Sequence, residues 1–192
     1  MEPLRRPARA QRRAVFSILC LAPLAGLAGC SPEHDWREIR AEDAGFLVML
    51  PGKPARMTRP IQLESLRVEM AMLGAQAREV AYTVGAVTLP DSRDATRAQV
   101  LAAMRTAMVS NIGGRVRSER SVKVMRVDAA GQRTGDIEGL EVEAFGRMRD
   151  RPATLVARFV AIGPQAWQAV VLGPEPDREQ AALFLESLKL MR

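Results

Sequence analysis

Between Leu66 and Val84 apolar side chains fall on every second residue, and this alternation constrains the fold more than any other feature of the chain. Leu66, Val68, Met70 and Met72 alternate with Arg67, Glu69 and Ala71; Gly74-Ala75-Gln76 reads as a turn; Val80, Tyr82 and Val84 resume the period. A period of two is the mark of a strand with one buried face, so the segment predicts a β-hairpin. The apolar run Phe46-Leu47-Val48-Met49-Leu50, stopped by Pro51-Gly52-Lys53-Pro54, reads as an earlier strand. Four more strands are predicted downstream. Residues 116–127 carry Val122 and Val124 on one face, and residues 134–148 carry Leu140, Val142 and Ala144. Residues 155–162 and 166–172 form the last pair, with turns at Gly131, Asp150-Arg151-Pro152 and Gly163-Pro164.

Two stretches have helical spacing instead. Arg97, Leu101, Met104, Met108 and Ile112 recur at intervals of three and four, and Val100 and Ala107 widen the stripe. Asp91 or Asp94 is expected to cap the start, and Gly113-Gly114 to end the helix in the left-handed conformation that glycine accepts. Near the end of the chain, Asp177 and Gln180 have capping-box spacing ahead of Ala181, Phe184, Leu185 and Leu188, which face inward. The order is β-β-β-α-β-β-β-β-α. Short turns make consecutive strands antiparallel neighbours, and two amphipathic helices must cover at least one sheet face. The expected class is α+β: an antiparallel sheet of about six or seven strands flanked by two helices. One register follows. With Asp150-Arg151 as a two-residue loop, Glu143 stands opposite Arg158, an opposite-charge pair worth roughly 0.2–1 kcal/mol.

The first thirty residues are of a different kind. Arg5, Arg6, Arg9, Arg12 and Arg13 make a basic head, followed by an apolar stretch of about 16 residues from Ala14 to Gly29. That is shorter than the ~20 residues a membrane-crossing helix needs, and it has no polar face to make it a surface-packed core helix. A basic head, a short apolar middle and a small-residue end describe a secretory signal. Its last residues, Leu27-Ala28-Gly29-Cys30, resemble the lipobox of bacterial lipoproteins. The resemblance implies that Cys30 carries a lipid on sulfur, that the chain is cut before it, and that the new amino terminus is acylated. A thiolate is well suited to that alkylation, and more than one acyl chain gives stable anchoring. In the sorting pattern of such lipoproteins Ser31, not being Asp, implies the outer membrane, facing the periplasm. Arg12-Arg13-Ala14-Val15-Phe16 partly resembles a twin-arginine export signal, so the export route stays open. The expected division is a signal over 1–29, a lipidated tether over 30–42 and one domain over 43–192, with Trp36 packing on the domain edge.

Removing that signal changes the charge argument. The formal net charge is +6, from 28 Lys and Arg against 22 Asp and Glu. Five of the bases and one of the acids precede Cys30, leaving 23 against 21, a net charge of about +2. That is no nucleic-acid footprint. The two cysteines are Cys20, inside the signal, and Cys30. The remaining domain has neither thiol nor disulfide, and at its size one core suffices without staples.

Several landmarks together look like the PsbP-like superfamily: Trp36, then Glu42-Asp43-Ala44-Gly45-Phe46, then Leu50-Pro51-Gly52-Lys53-Pro54, the helix end Asn111-Ile112-Gly113-Gly114, and the closing Phe184-Leu185-Glu186-Ser187-Leu188. The resemblance implies a sheet of about seven antiparallel strands flanked by helices, and binding or assembly in place of catalysis. It carries over no functional residue.

Catalytic chemistry is sparse. His34 is the only histidine and falls in the expected tether. A zinc site needs three or four ligands, and histidine-based nucleophilic catalysis would rest on this one residue. No G-x-S-x-G surrounds a serine, and Gly113-Gly114 follows a helix where a phosphate loop would precede one. Met70, Met72, Met104 and Met108 could offer soft ligands to Cu(I), but they sit on otherwise apolar faces and read as core gap-fillers. Glu141 with Glu143, and Asp136 with Glu138, pair carboxylates on strand faces that solvated sheet edges carry routinely. The expected function is therefore a non-enzymatic envelope lipoprotein, without cofactor or metal. It would be held to the membrane by acyl chains on Cys30 and would bind or scaffold another envelope protein. The alternative is a periplasmic carrier of copper or a hydrophobic molecule, and a hydrolase is the weakest reading.

Overall fold

The computed structural model describes residues 34–63 and 66–191. The leader, the Leu27–Cys30 motif and Ser31 lie outside the described residues. Ten strands and two helices follow in the order β1 (Arg37–Ala41), β2 (Phe46–Leu50), β3 (Ala55–Leu63), β4 (Leu66–Ala77), β5 (Val80–Thr88), α1 (Asp94–Asn111), β6 (Arg115–Val127), β7 (Arg133–Met148), β8 (Arg151–Ile162), β9 (Gln165–Gly173), α2 (Arg178–Ser187) and β10 (Lys189–Met191).

All ten strands belong to one sheet, ordered β1-β2-β10-β6-β7-β8-β9-β5-β4-β3. Every neighbour is antiparallel except β10 with β6. The sheet curls into a half-barrel, and a single hydrogen bond shows how far. β2 and β9 are five strands apart, about 24 Å in a flat sheet at ~4.8 Å per strand. Yet the indole Nε1 of Trp167 in β9 donates to the Ala44 carbonyl, in the β1–β2 turn, at 2.7 Å. That closure buries Trp167 completely.

The expectation of six or seven strands flanked by two helices is therefore corrected: the described residues form mostly one curled sheet of ten strands. Three strands escaped the period-two argument, each for a physical reason. β1, REIRA, lies within the expected tether at one sheet edge, with only Ala41 buried. β3 is the other edge and is exposed along most of its length, so it has no alternation to show. It also contains Pro60, which edge strands tolerate and central strands do not. β10 has only three residues, one of them buried.

Two turns fall elsewhere than expected. β4 runs on through Gly74-Ala75-Gln76, and the chain reverses at Arg78-Glu79, with Arg78 at φ 49°. The β7–β8 loop is Arg149-Asp150, because Met148 pairs with Arg151. Both loop residues have positive φ, 49° and 63°, as a type I′ hairpin demands. The register therefore shifts by two, and Glu141, not Glu143, stands opposite Arg158.

Each helix serves its own face. α1 joins a cluster containing Val100, Ala103, Met104, Val142, Leu155 and Phe159. α2 joins a cluster containing Phe184, Leu185, Phe46, Tyr82, Val84 and Trp167. Neither Asp91 nor Asp94 caps α1: the N-cap is Arg93, with no side-chain bond to the helix. Asp91 instead accepts from the Arg93 backbone N–H at 3.0 Å. The other end is as expected, with Gly113 at φ 51° closing on Ser110. Gly146 of β7 meets that end so closely that a Cβ there would lie 2.2 Å from the Ile112 carbonyl oxygen. At α2, Asp177 accepts from the Gln180 N–H at 2.9 Å. The Gln180 side chain does not complete the box; its Oε1 accepts from Trp36 Nε1 at 2.9 Å. That bond fastens the start of the domain to the start of its last helix.

Candidate functional site

α2 is short and crosses only part of its sheet face, and β6, β7 and β8 extend beyond it. A groove follows between the helix and these strands. Two adjoining cavities of about 420 and 540 Å³ share Arg117, Glu143, Val156, Arg178 and Ala181. Small side chains at Ala181 and Ala182 leave the helix wall low on this side.

The floor is charged by design of the register. Odd-numbered residues of β7 face α2, bringing Glu141, Glu143 and Phe145 into line. Glu141 is nearly buried and bridges two arginines: Arg120 Nε donates to it at 2.8 Å and Arg158 Nε at 2.5 Å. Arg158 is itself buried, and its Nη1 donates to the Leu185 carbonyl at 2.9 Å, where the negative end of the α2 dipole favours a cation. These groups clamp the helix onto the sheet. Arg117 is different. It is the extra residue of a β-bulge between Val116 and Ser118, and a bulge re-aims the side chain it carries. Its guanidinium lies 5.2 Å from the centre of the Phe145 ring and 3.5 Å from Glu143. Phe145 is 41% exposed, so the pair presents a flat cationic surface to solvent. Arg178 faces it from the first turn of α2.

This arrangement offers charges of both signs, an aromatic face and hydrogen-bonding groups, but no activated nucleophile and no histidine. It suits recognition of a polar ligand or polypeptide segment.

The residues singled out in the sequence fall in separate places. His34 is not a free tether residue: its ring stacks on Trp36 at 5.9 Å and meets Tyr82 edge-on at 6.4 Å. Trp36 and Tyr82 continue the contact to Phe184. Glu141 and Glu143 lie in the groove, each beside an arginine. Asp136 and Glu138 are on the opposite sheet face, and Asp136 pairs with Arg133 at 2.5 Å. Met70 and Met108 converge on the buried Gln168, whose Nε2 approaches the two sulfurs at 3.8 and 3.7 Å. Met104 is buried and Met72 partly so in the same cluster. Among the described residues no group of three His, Cys, Asp or Glu could hold a metal ion, and no helix is long and apolar enough to cross a membrane. Sequence reasoning missed Arg117, Phe145 and Arg178. The available signal was Phe145: it shares the period-two face of Glu141 and Glu143, an aromatic among charges.

No family model matches the chain, and no curated protein matches it. Among solved structures it is similar to PA94, a Pseudomonas aeruginosa protein of unknown function, at 13% identity and a TM-score of 0.39, over 76% of this chain and 87% of that one.

Proposed function

We propose that this is a lipid-anchored protein of the bacterial cell envelope, held in the outer membrane through Cys30, that works by binding another envelope protein in the groove beside α2. The anchoring half rests on the Leu27-Ala28-Gly29-Cys30 resemblance. The binding half rests on one observation: the Arg117–Phe145 pair, held outward by a bulge and facing Arg178 across an open groove. Cation–aromatic pairs that are half-desolvated on one side gain by covering the other, and Arg and aromatic residues are the usual anchors of interfaces. The test is co-purification from gently solubilised envelopes. Wild type retains a partner, Arg117→Glu loses it while staying acylated and folded, and Cys30→Ala leaves the chain unanchored. Identical recovery with wild type and Arg117→Glu would contradict the groove as the site.

A second reading, a carrier of a hydrophobic molecule, is favoured by a separate feature. The curl brings the β1–β2 turn beside β3 and β4, and between them lies a half-open cleft of about 390 Å³ whose lining includes Phe46, Met57, Ala71 and Met72 with Asp43 and Arg56 beside them. That is within the size range of small-molecule sites. Copper is the weaker cargo, since the sulfurs of Met70 and Met108 are already approached by Gln168. Native mass spectrometry of envelope-derived protein checks this reading: a bound apolar species supports it, and a bare mass removes it.

A further inference from the structure

One corner of the molecule concentrates arginine and exposed apolar side chains. Residues 115–117 and 145–151, paired through Arg115 and Phe145, hold Arg115, Arg117, Arg147, Arg149 and Arg151 and one acid, Asp150; Glu143 and Glu79 pair with Arg117 and Arg151 from outside these segments, so five arginines meet three acids and the corner keeps a basic excess. The same ten residues include Val116, Phe145 and Met148, which are 37%, 41% and 45% exposed, three of the five large exposed hydrophobics among the described residues. Basic residues around protruding apolar ones are what an anionic lipid surface attracts.

The path of the chain points to the same corner. The first described residues are held to the domain: the His34 ring touches Trp36 and Tyr82, and Asp35 N donates to the Pro51 carbonyl at 3.2 Å. Four Cα–Cα steps lead from Cys30 to His34, a reach of at most about 14 Å. From Tyr82 the strand runs back three residues to Glu79, which pairs with Arg151 of the basic corner at 2.8 Å. In the other direction β5 runs on from Tyr82 to Thr88, about 20 Å at ~3.3 Å per residue. The end of the sheet that holds the Gly163-Pro164 turn is therefore the farther of the two from Tyr82.

We infer that the end of the domain formed by the β7–β8 turn and the start of β6 lies against a bilayer containing anionic glycerophospholipid. Arg147, Arg149 and Arg151 meet the headgroups and Met148 enters the interface, while Arg117 and Phe145 stay at the mouth of the groove. This rests on the lipidation of Cys30 proposed above, and it deepens that reading: the mouth of the groove, at Arg117 and Phe145, then opens beside the membrane.

The test uses the acylated protein in vesicles of phosphatidylethanolamine with phosphatidylglycerol, and in vesicles of phosphatidylcholine alone. The acylated chain has no free thiol, so a nitroxide on Met148→Cys or on Ser92→Cys reports each end separately. In the anionic vesicles position 148 is expected to lose access to a water-soluble nickel chelate and gain access to oxygen, while position 92 stays accessible to the chelate. Arg147→Gln with Arg149→Asn should shift the ratio of apposed to lifted domain about 30-fold toward lifted, at roughly fivefold per charge. Raising the salt concentration should act in the same direction without any substitution. Several results overturn the proposal: both ends water-exposed in an acylated protein, position 92 protected instead, equal protection on phosphatidylcholine, or protection that appears only when another envelope protein is present. A mass without acyl chains overturns the anchoring and this orientation together; an acylated mass with an exposed corner overturns the orientation alone.

Discussion

The two faces of the curled sheet differ in how completely they are covered. On the α1 face an 18-residue helix lays Val100, Ala103 and Met104 over Val142, Leu155 and Phe159, and the contact is mostly apolar, with Gln168 buried against the Met70 and Met108 sulfurs. On the α2 face a 10-residue helix covers β2, β8 and β9 and stops short of the outer parts of β6 and β7. There the sheet presents Glu141, Glu143, Arg120 and Arg117 in place of aliphatic side chains. A helix long enough to seal a sheet leaves only a core; a helix too short leaves a lined groove. The functional candidate therefore follows from a difference in helix length.

Substitutions sharpen that contrast, beginning with the largest expected effect. Arg158→Ala removes one side of a nearly buried pair and strips Leu185 O of its donor, and should cost about 3–5 kcal/mol in denaturant melts. The paired change Arg158→Met with Glu141→Leu should recover most of that loss, since apolar replacement of a whole buried pair is often neutral. If the double variant is no more stable than the single one, the clamp is not the reason for the loss. On the sealed face Met104→Ala should cost about 2–5 kcal/mol through the cavity it leaves. Gly146→Ala presses a methyl group against the Ile112 carbonyl and should cost about 1–3 kcal/mol, read as a lower melting temperature. Arg117→Ala, at the open groove, should change stability by no more than about 0.5 kcal/mol while abolishing partner recovery.

The smallest effect is a pH dependence at the start of α1. The Asp91 carboxylate accepts from the Arg93 guanidinium first, then from the Arg93 backbone N–H and the Thr96 hydroxyl, and these hold its pKa down to about 2. A depressed carboxylate pKa adds stability above its unfolded value near 3.8, and that contribution is lost as the pH falls toward 2. Carboxyl NMR should place the Asp91 midpoint near 2, and an ordinary midpoint near 3.8 would show that the hydrogen bonds do not form in solution.

The sequence is legible where one side of an element is buried and the other wet. Met70 and Val84 lie in strands that alternation reveals, and Phe184 and Leu185 in a helix that its cap announces. Edge strands were invisible because solvent on both sides erases the alternation: Thr58 and Arg59 of β3 carry no sign of pairing with Ala71 and Met70. The curl was invisible because it depends on contacts such as Trp167 with Ala44, 123 residues apart. Of the candidate site, the carboxylates Glu141 and Glu143 look in the sequence like residues of a solvated edge, since nothing local places Arg158, Arg120 and α2 around them. The bulge at Arg117 left no trace in the pattern at all. The register error has the same origin: Arg149 in a left-handed conformation is not what its residue type predicts, and one displaced loop moved Arg158 from Glu143 to Glu141.

If the incompletely covered face is the working one, a partner in the envelope should touch it and not the sealed face. A photo-reactive amino acid at Ala182, on the groove side of α2, and another at Ala102, on the exposed side of α1, compare the two faces within intact envelopes. A discrete cross-linked species from position 182, absent from position 102 and lost with Arg117→Glu, is the predicted result. Cross-linking from position 102 alone, or equally from both, would contradict it.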